Sequence, residues 1–79
     1  MRARYYSPLS IQRLAEMNAT PEDFRAIDKQ LTELAQRPRQ GYRVPFHQSS
    51  ESLWRFDVGR FGLIYTFDKG EIEVVTVTG

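Results

Sequence analysis

"LWRFDVGRFGLIY", residues 53–65, decides the fold, because it reads as two strands turned back on each other. Trp54, Phe56 and Val58 alternate with Arg55 and Asp57. After the turn, Phe61, Leu63, Tyr65 and Phe67 alternate with Gly62, Ile64 and Thr66. A period of two sends successive side chains to opposite faces, so one face of this hairpin is apolar throughout. "VGRF" supplies its turn and "FDKGE" the next, with Gly59 and Gly70 expected to take positive φ at little steric cost. Ile72, Val74 and Thr76 continue a final strand. Gly62 is the odd residue, since a strand interior gains nothing from a missing side chain.

Upstream, "ARYYS" (3–7) is a short aromatic stretch that ends before Pro8 and reads as a first strand. Ile11, Leu14, Ala15 and Met17 fall near helical spacing, which predicts a short helix over about 9–18. "NATPED" is the clearest boundary. Thr20 can cap the amide three residues on, Pro21 suits the first helical position, and Glu22 and Asp23 suit the positive end of the helix dipole. Phe24, Ile27, Leu31 and Leu34 then form one buried stripe, and Pro38 stops the helix near Gln36 or Arg37. With so little chain between them, the two helices should form an antiparallel hairpin. Tyr42 to Phe46 reads as an edge strand limited by Pro45, and residues 48–52 as a polar loop. The expected architecture is α+β in a single domain over residues 1–79. An N-terminal strand and a helix hairpin cover one face of a twisted antiparallel sheet of three to four further strands.

The chain has 79 residues, a net charge of +1, no cysteine and one histidine, His47. A domain of this size draws on the order of 3–5 kcal/mol from its core. Without cysteine there is no thiol nucleophile and no thiolate metal site, and the composition fits a reducing cytoplasm. One histidine leaves no credible zinc site, so neither metal nor cofactor is expected. No apolar run reaches the roughly 18–20 residues a bilayer requires, and no signal-peptide core follows the basic N-terminus. A soluble cytoplasmic protein without membrane contact is the expectation. The half up to Arg43 is modestly basic and the remainder modestly acidic, which permits RNA or an acidic partner without requiring either.

Parity defines a second, open face carrying Leu53, Arg55, Asp57, Gly62, Ile64 and Thr66. A half-apolar face invites a partner, and Ile64 is its natural contact residue. Several side chains have two readings each. Arg55 could contact phosphate or be a solvated strand arginine. His47 could serve as a general base or be plain surface. Arg37, Arg39 and Arg43 could cap the helix dipole or touch RNA. Trp54 could stack on a base, although its parity favours the core. Glu71 and Glu73 make no carboxylate pair suited to sugar or metal chemistry.

The order of strand, two helices, a Pro- and Gly-containing loop, "LWRFDVGRFGLIYTFDKGEIEVV" (53–75) resembles the RelE/ParE superfamily of toxins from type II toxin–antitoxin systems. The likeness spans nearly the whole chain; its strongest part is this meander, and "LAQRPRQG" (34–41) is the best helical segment. It implies a cytoplasmic toxin or toxin homologue, bound by a cognate antitoxin protein, that stops translation by ribosome-dependent mRNA cleavage. The alternative it implies is a non-catalytic homologue that binds protein, including DNA gyrase. Cleavage of the RelE type, as the resemblance implies it, places basic side chains on the open sheet face against the scissile phosphate. Arg55 stands where one is expected. Hairpins of the form VG-x-Y-R-I-I-Y carry an arginine where this chain has Gly62. Arg60, an alternative turn residue, would have to reach back roughly 6–7 Å to replace it. Asp57 opposes RNA phosphate, and the family's C-terminal Arg and Tyr have no counterpart in "VTVTG". Depleted cleavage is therefore expected, with Arg55 and Arg60 as its candidate catalysts. A remnant that folds only as a homodimer is the remaining expectation.

Overall fold

In the computed structural model, residues 2–45 and 52–79 are described. The elements run β1 (Ala3–Tyr6), α1 (Pro8–Glu16), α2 (Pro21–Gln36), a 3-10 turn (Pro38–Gln40), β2 (Tyr42–Arg43), β3 (Trp54–Val58), β4 (Phe61–Phe67) and β5 (Glu71–Thr78). This is an α+β fold with two helices and a five-stranded sheet in the order β1-β5-β4-β3-β2. Strands β2 to β5 are antiparallel, as expected. β1 joins alongside β5 in parallel, making the sheet mixed. A parallel neighbour needs a long crossover, and everything from α1 to β4 lies between the two strands in sequence.

Local chemistry explains both helices. Ser7 caps α1 by accepting the Ser10 amide, with Pro8 in the first turn. Thr20 and Asp23 form a reciprocal capping box at the start of α2. Between them, Asn18 adopts φ 57°, and the bonds Ala19 N–H to Leu14 C=O and Asn18 N–H to Ala15 C=O close a Schellman motif. The core joins Leu14, Ile27, Leu31, Leu34 and Ala35 of the helices to Phe61, Leu63, Tyr65, Ile72, Val74 and Val77 of the sheet. Trp54 and Phe56 pack partly buried against it on the expected face.

Four expectations need correction. The inward line of α1 runs through Ser10 and Leu14, with Met17 packing partly buried beside the core, while Ile11 stays 46 % exposed. The Ser10 hydroxyl is satisfied by donating to the Ser7 carbonyl, so its burial carries no orphaned group. Phe24, the first member of the α2 stripe, remains 39 % exposed. Gly59 takes the expected positive φ (57°) but Gly70 does not. The Asp68 carboxylate instead holds that turn by accepting the amides of Gly70 and Glu71. Finally, the strand expected from Tyr42 to Phe46 is confined to Tyr42–Arg43 among the described residues.

The last strand hides a change of face. Ile64 pairs with Thr76 and Tyr65 with Val74, so Val75 is an extra residue, a β-bulge. Before it Ile72 and Val74 face the helices; beyond it Val77 does, and Thr76 is turned to the open side.

Candidate functional site

Strand register builds the open face row by row. Tyr42, Arg55, Ile64 and Thr76 lie side by side across four strands. The adjoining row holds Asp57, Gly62 and Thr78. Thr66 and Glu73 form a row on the other side, continued by Tyr5 of β1. Ile64 is half-buried there, where parity placed it. Tyr42, which sequence reasoning left out of the site, is 54 % exposed beside Arg55. Only its pairing with β3 reveals it, because a two-residue edge strand has no periodicity to read.

Gly62 is explained by this register. A Cβ built on it would stand 2.6 Å from Arg55 Nη2 and 2.8 Å from Cζ. The Arg55 side chain therefore lies across the glycine, and the slot is filled. Its Nε donates to Asp57 Oδ1 at 2.8 Å, and Asp57 is the cross-strand partner of Gly62. That hydrogen bond, before any longer-range attraction, raises the guanidinium above its ordinary pKa. With the Arg55 side chain 34 % exposed, the pair is a surface contact that fixes direction more than it stabilises. Asp57→Ala, which removes the acceptor, is accordingly expected to leave the thermal midpoint nearly unchanged while releasing Arg55. Proton exchange at Arg55 Nε–H should rise to that of a free arginine; slow exchange that persists in the variant would show that Asp57 does not hold it.

Arg60 does not share this face. Its Nη2 donates to the Met17 carbonyl at 2.8 Å and to that of Asn18 at 3.4 Å, and approaches Asp23 Oδ2 at 3.7 Å. The guanidinium also stacks over Phe61, 4.5 Å from the ring centre. The turn carries it to the helical layer, where it satisfies carbonyls at the end of α1, so it cannot replace an arginine at Gly62. Strand parity failed for Arg60 because a turn residue does not inherit the alternation of its strand.

The other arginines singled out from the sequence, Arg37, Arg39 and Arg43, follow the end of α2. Arg37 is the exposed C-cap of that helix, and its amide donates to the Glu33 carbonyl. Arg39 stacks over Phe67 at 5.6 Å, and Arg2 lies over the same ring at 5.4 Å while donating to the carbonyls of Ala35 and Asp68. Arg2 was absent from the sequence reading, and nothing near it in sequence marks it. Arg43 donates to the Ser52 hydroxyl at 2.9 Å. Arg39 and Arg43 line a cavity of about 960 Å³ together with Trp54 and Phe67, but Asp68, Glu71 and Glu73 line it too. His47 lies outside the described residues. Among the described residues no group of acidic or histidine side chains could hold a metal ion, and no helix is long and apolar enough to cross a membrane.

No protein-family model matches this chain, and no curated protein matches it.

Proposed function

We propose that the protein is a toxin homologue of the RelE/ParE type that acts in the cytoplasm by binding protein through its open sheet face, with little or no RNA cleavage of its own. One observation carries this reading. Arg55, the one basic side chain at the described strand positions of that face, is committed to Asp57, and Glu71 and Glu73 share the face with it. A surface of this sign repels a phosphate backbone. Tyr42 and Ile64 beside Arg55 suit a protein contact, where exposed aromatic and aliphatic anchors contribute most. The arrangement of a strand, two helices and an antiparallel meander is consistent with the resemblance on which the family reading rests. A cognate antitoxin is the first partner this implies, and DNA gyrase a second.

Ribosome-dependent mRNA cleavage is the competing reading, favoured by Arg39 and Arg43 sharing a cavity with Trp54. Purified protein added to ribosomes carrying mRNA is expected to leave the message intact. Growth arrest on expression should survive Arg55→Ala and be lost in Ile64→Asp. Efficient cutting that disappears in Arg55→Ala would overturn the proposal. A supercoiling assay distinguishes gyrase as the bound target.

A further inference from the structure

Three arginines lie against aromatic rings of their own chain: Arg2 and Arg39 over Phe67, and Arg60 over Phe61. Arg55 has no such ring against it among the described residues. Its support is Gly62. A Cβ built on that glycine would stand 2.6, 2.8 and 2.9 Å from Arg55 Nη2, Cζ and Nε. The central carbon is no farther off than the two nitrogens beside it, so the guanidinium turns its flat side to the glycine. Edge-on, the carbon would stand behind them. Asp57 fixes the rotation of the plane by accepting Nε–H at 2.8 Å. The opposite flat side points away from the sheet, and the side chain is partly exposed. Tyr42 and Ile64 stand beside it in the same row.

A guanidinium presented by its flat side attracts the negative face of an aromatic ring. Held from behind and from one edge, Arg55 has little rotamer freedom left to lose when a ring settles on it. The surroundings restrict what carries that ring. Asp57, Glu71 and Glu73 share the open face, and Asp57 already matches Arg55. Glu71 and Glu73 have no ion-pair partner among the described residues. The uncompensated charge is negative, which opposes a phosphate chain and equally a second copy presenting the same face. A protein side chain brings the ring without a phosphate, and Tyr42 and Ile64 give it apolar walls.

We infer that the outer side of the Arg55 guanidinium, backed by Gly62, seats an aromatic side chain of a partner protein. The inference rests on the reading of the open face as a protein-binding surface, and it names the group that surface receives. One contact of this kind contributes about threefold to fivefold in affinity. Growth arrest can therefore outlast Arg55→Ala while binding weakens.

The test does not require the partner. N-acetyltryptophan amide and N-acetylleucine amide are titrated into the full chain, and the Arg55 Nε–H signal is followed in a ¹H–¹⁵N spectrum. The tryptophan probe should move that proton upfield through its ring current, while the leucine probe leaves it in place. Gly62→Ala should weaken the tryptophan probe by about threefold or more, because the new Cβ displaces the guanidinium. That clash is with the free end of a side chain, so the variant should keep its fold. Arg55→Lys keeps the charge without the plane and should weaken binding to a similar extent. Adenosine monophosphate should bind more weakly than the tryptophan probe. No upfield shift, equal shifts with both amides, or unchanged affinity in Gly62→Ala or Arg55→Lys would overturn the inference. So would tighter binding of adenosine monophosphate, which would make a nucleotide the occupant. A missing shift beside growth arrest that Ile64→Asp abolishes removes this inference alone. Message cut in an Arg55-dependent way removes the protein-binding reading beneath it, whatever the amides do.

Discussion

Gly41→Ala is expected to destabilise the protein by about 2–3 kcal/mol, the upper part of the range for forcing a methyl group into filled space. For a domain whose core supplies on the order of 3–5 kcal/mol, that leaves a large unfolded fraction near body temperature. Gly41 has φ −77°, a value any residue adopts, so the cost is purely steric. An added Cβ would collide with the Arg55 carbonyl and stand 2.5 Å from the Tyr65 hydroxyl. Neither neighbour can yield cheaply. The carbonyl belongs to a strand backbone, and the Tyr65 ring is fully buried with its hydroxyl donating to the Pro38 carbonyl. Burial raises the Tyr65 phenol's pKa, in keeping with a neutral donor in that position. Urea melts of wild type, Gly41→Ala and Gly70→Ala provide the measurement. At Gly70 the nearest atom to an added Cβ is Asp68 Oδ1 at 3.9 Å, and that variant should melt within a few tenths of a kcal/mol of wild type. Equal midpoints for all three would mean that the chain does not pass so close to β3 at Gly41.

A larger loss is expected from Val77→Asp, about 4 kcal/mol or more, while Thr76→Asp should cost about 1 kcal/mol or less. The contrast isolates the bulge at Val75. Val77 is 1 % exposed and pairs with Leu63 on the helix-facing side, so a carboxylate there would be buried without a partner. Thr76 pairs with Ile64 on the open face, where an aspartate can reach water. Uninterrupted alternation from Ile72 and Val74 predicts the reverse order of damage. Circular dichroism melts of the two variants decide between the patterns: a folded Val77→Asp beside an unfolded Thr76→Asp would remove the bulge from β5.

Much of the framework could be read before any coordinates. The start of α2 was legible because its determinants, Thr20, Pro21 and Asp23, act on amides within one turn. The β3–β4 hairpin was legible because Trp54, Phe56, Phe61, Leu63 and Tyr65 keep one period through a turn that Gly59 permits. The same period placed Arg55, Gly62 and Ile64 on one open face. The site was less accessible. Arg60 lies in a turn, where alternation lapses, and its partners Met17 and Asn18 are far away in sequence. Arg2 and Arg39 converge on Phe67 from opposite ends of the helical half.

Sequence alone determined which residues could be helix caps, which strand faces of the central hairpin would be apolar, and that the chain has no cysteine. Those properties follow from interactions spanning a few residues, where the partner is known in advance. Tertiary structure decided that β1 lies parallel to β5, that Val77 rather than Thr76 enters the core, and that Arg55 fills the space at Gly62 with Asp57 as its anchor. Each of these depends on the register between strands, and a shift of one residue reverses every side chain in it. That register is set by the fit of the whole core, which no short window of sequence contains.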